Sequence, residues 1–247
     1  MPEGYAYLVT CEHASRWIPH AYRRFPGARI CRRPESWQWD PGADALARII
    51  AETLKADYFP GNLNRRLLDL DRSLTHETLF SREAHTLRER RKADLLLQYY
   101  YPFRHQVRSQ IEQHLTDQKK VVHLSFHTFH PRLKGQVKKT DIGIHFDPFR
   151  RMEKKTTELW LEKLKKAHPH LHIRGNSPYL GTKDGHVPLL RRIFGPKNYL
   201  GFEILVNQRL LPEREPKNLS IEAVLPSFAL LLRKTLITLV HQKVQPA

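Results

Sequence analysis

The chain has 247 residues, 40% hydrophobic and 27% charged, with a formal net charge of +17. That length and apolar content suffice for a substantial buried core and exclude a disordered or fibrous chain. Its two cysteines, Cys11 and Cys31, cannot build a disulfide framework or a cysteine-rich zinc centre, so any metal must be held by His, Asp or Glu.

Elements follow in chain order. "YAYLVTC" reads as an apolar strand and leads into a loop carrying Glu12 and His13. "DPGADALARIIAETLKA" predicts a helix in which Asp40 caps, Pro41 sits in the first turn, and Ala43, Leu46, Ala47, Ile50 and Leu54 form one apolar stripe. A second helix is expected to begin near Pro102, with Phe103, Val107, Ile111 and His114 on one side. "VVHLSF" and "DIGIHFD" read as strands, "RRMEKKTTELWLEKLKKA" as a charged helix, "LHIRGNSPYLGTKDG" as strand plus loop, and "YLGFEILVNQ" as a strand. "NLSIEAVLPSFALLLRKTLITLV" closes the chain as an apolar helix that Pro226 should kink or delay.

Strands alternating with helices predict a single α/β domain over 1–247, in three layers, with a mainly parallel or mixed central sheet flanked by helices. In such sheets sites form beyond the carboxyl ends of the strands. "CEHAS", "HTFHP", "GNSPY" and Glu203 are therefore expected along one edge. No apolar run approaches the roughly 18–20 residues needed to cross a bilayer, and the N-terminus lacks the pattern of a secretory signal, which predicts a cytoplasmic protein with no membrane partner. The positive charge favours anionic partners, but the basic runs are scattered and match no nucleic-acid motif.

Candidate site residues come from polar groups in apolar surroundings. In "VVHLSFHTFHP", period-two alternation puts His123, Ser125 and His127 on one face, with His130 in the loop beyond. A catalytic zinc takes three protein ligands, commonly two His and a carboxylate, and leaves a position open for water. His13, His127 and Glu12 offer such a set if the chain has turned after the first strand, and His123 and Ser125 would then support His127 by hydrogen bonds. The competing reading of each histidine is a satisfied loop or core residue. In "RRLLDLDRS", Arg66, Asp69, Asp71 and Arg72 alternate with leucines, so one arginine can be held by an aspartate while another grips an anion; an internal Arg–Asp network is the alternative. Glu203, between Phe202 and Ile204, is either paired with an arginine or poised as a base. Asn176 and Ser177 suit a substrate carbonyl or carboxylate, or a turn before Pro178.

The ordered set "VTCEHAS..IP", "DPGADALA", "RLLDLDRS", "YYYPFRHQV", "HLSFHTFHP", "DIGIHFDP", "GNSPY" and "GFEILVNQRLL", from about residue 8 to about residue 212, resembles the N-formylglutamate amidohydrolase (N-formylglutamate deformylase) family. The resemblance implies a phosphorylase/hydrolase-like α/β fold and metal-dependent hydrolysis of an N-formyl or similar amide on an acidic amino acid. It implies that His13 matches the family's histidine after the first strand, and His127 its "HS" pair with Thr128 in the serine position. Arg66, Leu67, Asp69 and Arg72 match "RLxxDxNR", with Asp71 where the family often has Asn, and Glu203 matches the late "GxEI" glutamate. The expectation is one Zn²⁺ on His13, His127 and Glu12, Glu203 as catalytic base, and Arg66, Arg72 and Asn176 on a small anionic N-acyl amino acid. A basic nucleic-acid-binding protein on the same fold, or an inactive family member, are the alternatives, and oligomeric state stays open.

Overall fold

The computed structural model describes residues 4–23, 38–133, 135–178, 184–211 and 221–244; Cys31 and residues 179–183, expected from the sequence to be loop, lie outside them. The described residues form eight strands: β1 (Tyr5–Cys11), β2 (Asp57–Pro60), β3 (Lys120–Phe129), β4 (Arg132–Leu133), β5 (Gln136–Val137), β6 (Ile142–His145), β7 (Ile173–Gly175) and β8 (Tyr199–Asn207). Six form one sheet in the order β2-β1-β3-β8-β6-β7, while β4 and β5 make a separate small hairpin. β2, β1, β3 and β8 are mutually parallel; β6 runs antiparallel to β8, and β7 is parallel to β6. The sheet is therefore mixed, with helices on both faces, and the fold is α/β.

The three central strands are the ones whose sequences are apolar almost without interruption, as strands covered on both faces must be. One face carries Val9, Leu124, Phe126, Phe202 and Ile204 into a core closed by α1 (Ala43–Leu54), α4 (Arg151–Ala167) and α6 (Ile221–Val244). Trp160 is its largest buried side chain, packed on Phe228 at 4.5 Å between ring centroids, with Nε1–H donating to the Phe228 carbonyl. The opposite face is covered by α3 (Tyr101–Thr116) and α5 (His186–Ile193). There the strands present Thr10, His123, Ser125 and Glu203 instead of an unbroken apolar surface.

Some elements differ from expectation. Helix α1 starts at Ala43 with Gly42 as its N-cap at φ 78°, and no side chain caps it. A β-carbon on Gly42 would come within 2.6 Å of Leu211, so both conformation and space favour glycine there. Asp40 therefore does not cap the helix; its carboxylate turns elsewhere. The charged segment before Pro102 is helical, as α2 (Glu89–Leu95) and a π-helical turn, Leu96–Tyr100, that runs into α3. Helix α6 runs through Pro226. Its stretch Ile221–His241 is long and apolar enough to cross a membrane by length and composition, correcting the expectation that no such run exists. Here Leu225, Phe228, Leu232 and Leu236 are buried in the core against α1 and α4.

Candidate metal centre

β1 ends at Cys11, so Glu12 and His13 lie in a turn, released from strict alternation. Main-chain bonds lace this turn to two other segments: Asp40 N–H donates to the His13 carbonyl, Arg65 N–H to Gln38, and Asn64 N–H to Trp17. Gly61 N–H donates to the Cys11 carbonyl, and a β-carbon at Gly61 would come within 2.2 Å of the Glu12 carbonyl oxygen. Only glycine permits that approach. Residues far apart in sequence are thereby held around the end of the sheet.

Among the described residues, His13, Asp40 and His127 form a group whose ligand atoms all lie within 4.8 Å of one another. Asp40 Oδ2 is 2.9 Å from His127 Nδ1 and 3.3 Å from His13 Nδ1, while Asp40 Oδ1 accepts from Arg65 Nη1 at 2.8 Å. The far nitrogens face outward: His13 Nε2 lies 2.8 Å from Asp69 Oδ1, and His127 Nε2 lies 3.0 Å from Ser125 Oγ. Ser125 donates its one hydroxyl proton to Glu12 Oε2 at 2.7 Å, so toward His127 it accepts. Asp69, a carboxylate, can only accept from His13. If each imidazole is neutral, its proton is on Nε2, and two Nδ1 lone pairs converge with a carboxylate oxygen. Three acceptors aimed at one point require a cation between them, a proton or a metal ion, and outward N–H groups on carboxylate-linked partners are the usual setting of metal-binding imidazoles. The residues present thus fit a divalent ion.

The charges agree with this arrangement in the metal-free protein. Burial lowers the affinity of His13 for a proton, but Asp69 and Asp40 outweigh it and raise the pKa to about 10. His127 is likewise raised against burial, chiefly by Asp40. Burial disfavours the Asp40 carboxylate, yet Arg65, His13 and His127 hold it well below the ordinary carboxylate range; Asp69, against the same burial, falls to about 2 beside His13 and Arg72. Asp71 behaves oppositely: burial raises it, and the charges of Glu12, Asp69 and Glu203 add to that.

Each expected site residue has a definite place. His13 and His127 are brought together, with ring centroids 5.1 Å apart. Glu12 is fully buried behind His127, its Oε2 3.7 Å from His127 Nε2, and it accepts from Thr10, Ser125 and His186. The carboxylate shared by both imidazoles is instead Asp40. Glu203 pairs in register with Ser125 on one side and His145 on the other, and its Oε2 lies 3.3 Å from His145 Nδ1. Arg66 donates to Glu83 at 2.6 Å; Arg72 donates to the Asp184 carbonyl at 3.1 Å and has its Nε 3.9 Å from Asp69. Asn176, at φ 46°, accepts from Phe146 N–H, the turn-forming role open to it from the sequence. His130 lies in the exposed loop, where its Nδ1 accepts from Arg132 N–H.

Sequence reasoning missed Asp40 as a ligand candidate, Arg65 as its partner, and His186. Arg104 was also missed: from α3 it donates to the carbonyls of Leu70, Asp71 and Arg72, bracing the turn that carries Asp69 and Arg72. The signal for Asp40 was its place before Pro41, which reads equally as a helix start; "DGHVPLL" gave no chemical cue to His186.

The sequence model of the N-formylglutamate amidohydrolase family matches residues 5–211. Among solved structures, a gene product from Agrobacterium tumefaciens superposes with a TM-score of 0.77 at 23% identity, over 96% of this chain and 92% of that one. N-formylglutamate amidohydrolase from Ralstonia eutropha JMP134 superposes with a TM-score of 0.67 at 17% identity, over 98% and 97%. No curated protein matches the sequence.

Proposed function

Since the chain belongs to the N-formylglutamate amidohydrolase family, we propose that it hydrolyses the amide of an N-formyl or other N-acyl group on an acidic amino acid. One zinc ion would be held by His13, Asp40 and His127. The observation that carries this reading is the convergence of two imidazole Nδ1 atoms on Asp40 Oδ2 while both Nε2 atoms face outward partners. A bound divalent ion supplies Lewis acidity and lowers the pKa of a water from about 15.7 toward 7.

The chain's own residues then divide the work. Glu203 lies on the same sheet face as Ser125, on the adjacent strand, and acts as the base. It takes a proton as the water oxygen bonds to the amide carbon, and returns it to the nitrogen as the C–N bond breaks. Arg72 is the arginine for the substrate carboxylate, because it rides on the turn that also carries Asp69, the partner of His13. Arg66 is tied to Glu83 and takes no part. The +17 charge draws an anionic substrate toward the protein at long range.

The test is elemental analysis of the purified protein together with a screen of N-acyl amino acids that detects released amine. One equivalent of zinc and turnover of N-formyl or N-acyl acidic amino acids is the expected result. A metal-replete protein that releases no amine from any N-acyl amino acid overturns the reaction; one that takes up no divalent ion overturns the metal.

A further inference from the structure

Glu12 is the most deeply enclosed acid near the centre, and it is not one of the three residues that converge. We infer that Glu12 chooses which nitrogen of His127 binds the ion: it pins the Ser125 hydroxyl, and the pinned hydroxyl fixes the His127 tautomer. The inference rests on the metal reading above and makes Glu12 a positioning residue.

The direction of each hydrogen bond around Glu12 can be worked out. An ionised carboxylate only accepts, and Ser125 and Thr10 each have one hydroxyl proton. Ser125 Oγ donates to Glu12 Oε2 at 2.7 Å, and Thr10 Oγ1 donates to Glu12 Oε1 at 2.7 Å. Both oxygens are then acceptors toward their remaining neighbours. Thr10 Oγ1 must accept from His123 Nε2–H at 2.8 Å, which leaves His123 Nδ1 to accept from the Tyr199 hydroxyl at 2.6 Å. By the same logic Ser125 Oγ must accept from His127 Nε2–H at 3.0 Å. His186 Nδ1–H completes the set on Glu12 Oε1 at 3.0 Å. Every mobile proton in this buried network points toward Glu12.

The consequence falls on the ligand. With its proton on Nε2, His127 presents a bare Nδ1 toward Asp40 Oδ2, the side on which His13 Nδ1 also faces. If the anion at position 12 were neutral and carried an N–H donor, the Ser125 hydroxyl would turn to donate to His127 Nε2. The ring proton would then move to Nδ1 and block coordination. The direct gap of 3.7 Å between Glu12 Oε2 and His127 Nε2 is too long for a hydrogen bond, so the serine is the necessary intermediary.

Two measurements test this. The first is the imidazole ¹⁵N spectrum of the zinc-loaded parent protein, which reports the protonated nitrogen of each ring. The second is zinc affinity by competition with a chromogenic chelator for the parent, Ser125→Ala and Glu12→Gln. His127 is expected to carry its proton on Nε2 in the parent, and both variants to bind zinc about ten- to hundredfold more weakly, the usual cost of losing a ligand's orienting partner. A proton on Nδ1 of His127 in the loaded parent, or variants that bind within twofold of it, overturns the inference. If a variant does not fold, the parent's spectrum alone decides. Failure of the metal reading itself looks different, since the parent then takes up no zinc, and the inference falls with it.

Discussion

Asp40 Oδ2 stands 2.9 Å from His127 Nδ1, although 87 positions separate the two residues in the chain. The contact exists because the turn after β1 is bonded through its main chain to residue 40, and because β3 lies beside β1 in parallel register. Asp40→Asn keeps the size of the side chain and removes the charge that faces both imidazoles. Zinc affinity is expected to fall by more than about a hundredfold, beyond what loss of an outer partner costs. Chelator competition on the folded variant checks it; unchanged affinity removes Asp40 from the ligand set.

Glu203→Gln separates proton transfer from metal binding. The variant should retain zinc by elemental analysis while kcat drops by about 10²- to 10⁴-fold, the usual contribution of a positioned base. Retention of full activity would assign the proton to another group.

Arg72→Ala addresses substrate binding alone. A charge-assisted hydrogen bond contributes about 1.5–3 kcal/mol, so kcat/KM for an acidic N-acyl amino acid should fall by roughly ten- to a hundredfold. The same variant should leave hydrolysis of an uncharged analogue unchanged. An equal loss on both substrates refutes the role of Arg72 as an anion clamp.

The histidines set the pH profile of the metal-free protein. His13 has a folded pKa of about 10 against an ordinary 6.5, so its stabilising contribution is complete below 6.5 and is lost as pH rises through 10. His123 and His186 are depressed by burial to about 3 and about 4. Below 6.5 the unfolded chain takes up protons that these two cannot bind when folded, so stability falls as pH drops from 6.5 toward 4. Asp69, at about 2, contributes loss only below the ordinary 3.8. Urea midpoints of metal-free protein between pH 4 and 10 should therefore peak near pH 6.5, and His13→Ala should flatten the alkaline limb. A midpoint that climbs steadily to pH 10 contradicts this assignment.

Gly61→Ala tests the backbone around the centre. The new methyl would meet the Glu12 carbonyl oxygen at 2.2 Å, a main-chain atom that cannot swing aside. A loss of about 1–3 kcal/mol in unfolding free energy is expected, as for other overpacked sites, with weaker zinc binding because residues 12 and 13 move together.

Much of the architecture was legible because its central strands are covered on both faces and so carry continuous apolar runs: β1 was read to the residue, β8 to within one residue at its end, and β3 to one residue at its start and three at its end. β2 was not legible, since "DYFP" is four residues long and only partly buried, and neither was α2, whose charges mask its helical periodicity. At the centre, His13 and His127 stood out as polar groups at strand ends. Asp40 was hidden by a real ambiguity: an aspartate before Pro-Gly and an apolar stripe is what a helix cap looks like, and only three-dimensional closure turns it toward Arg65 and the histidines. Arg65 was hidden for a similar reason. Adjacent residues in the turn at 64–66 diverge, sending Arg65 to Asp40 and Arg66 to Glu83, and no periodicity distinguishes them.

The grip of Arg104 on three consecutive carbonyls separates path from chemistry in the turn at 70–72. What α3 holds there is peptide oxygen, which every amino acid supplies alike. The part of the loop's path that is set through its carbonyls therefore does not depend on which side chains residues 70–72 carry, whereas the carboxylates of Asp69 and Asp71 accept from the main-chain N–H groups of Asp71 and His186 and hold the turn as well. That load is shared by two side chains behind the turn, Arg104 and the Tyr100 hydroxyl that also donates to the Arg72 carbonyl, so replacing either should loosen the loop on which Arg72 rides.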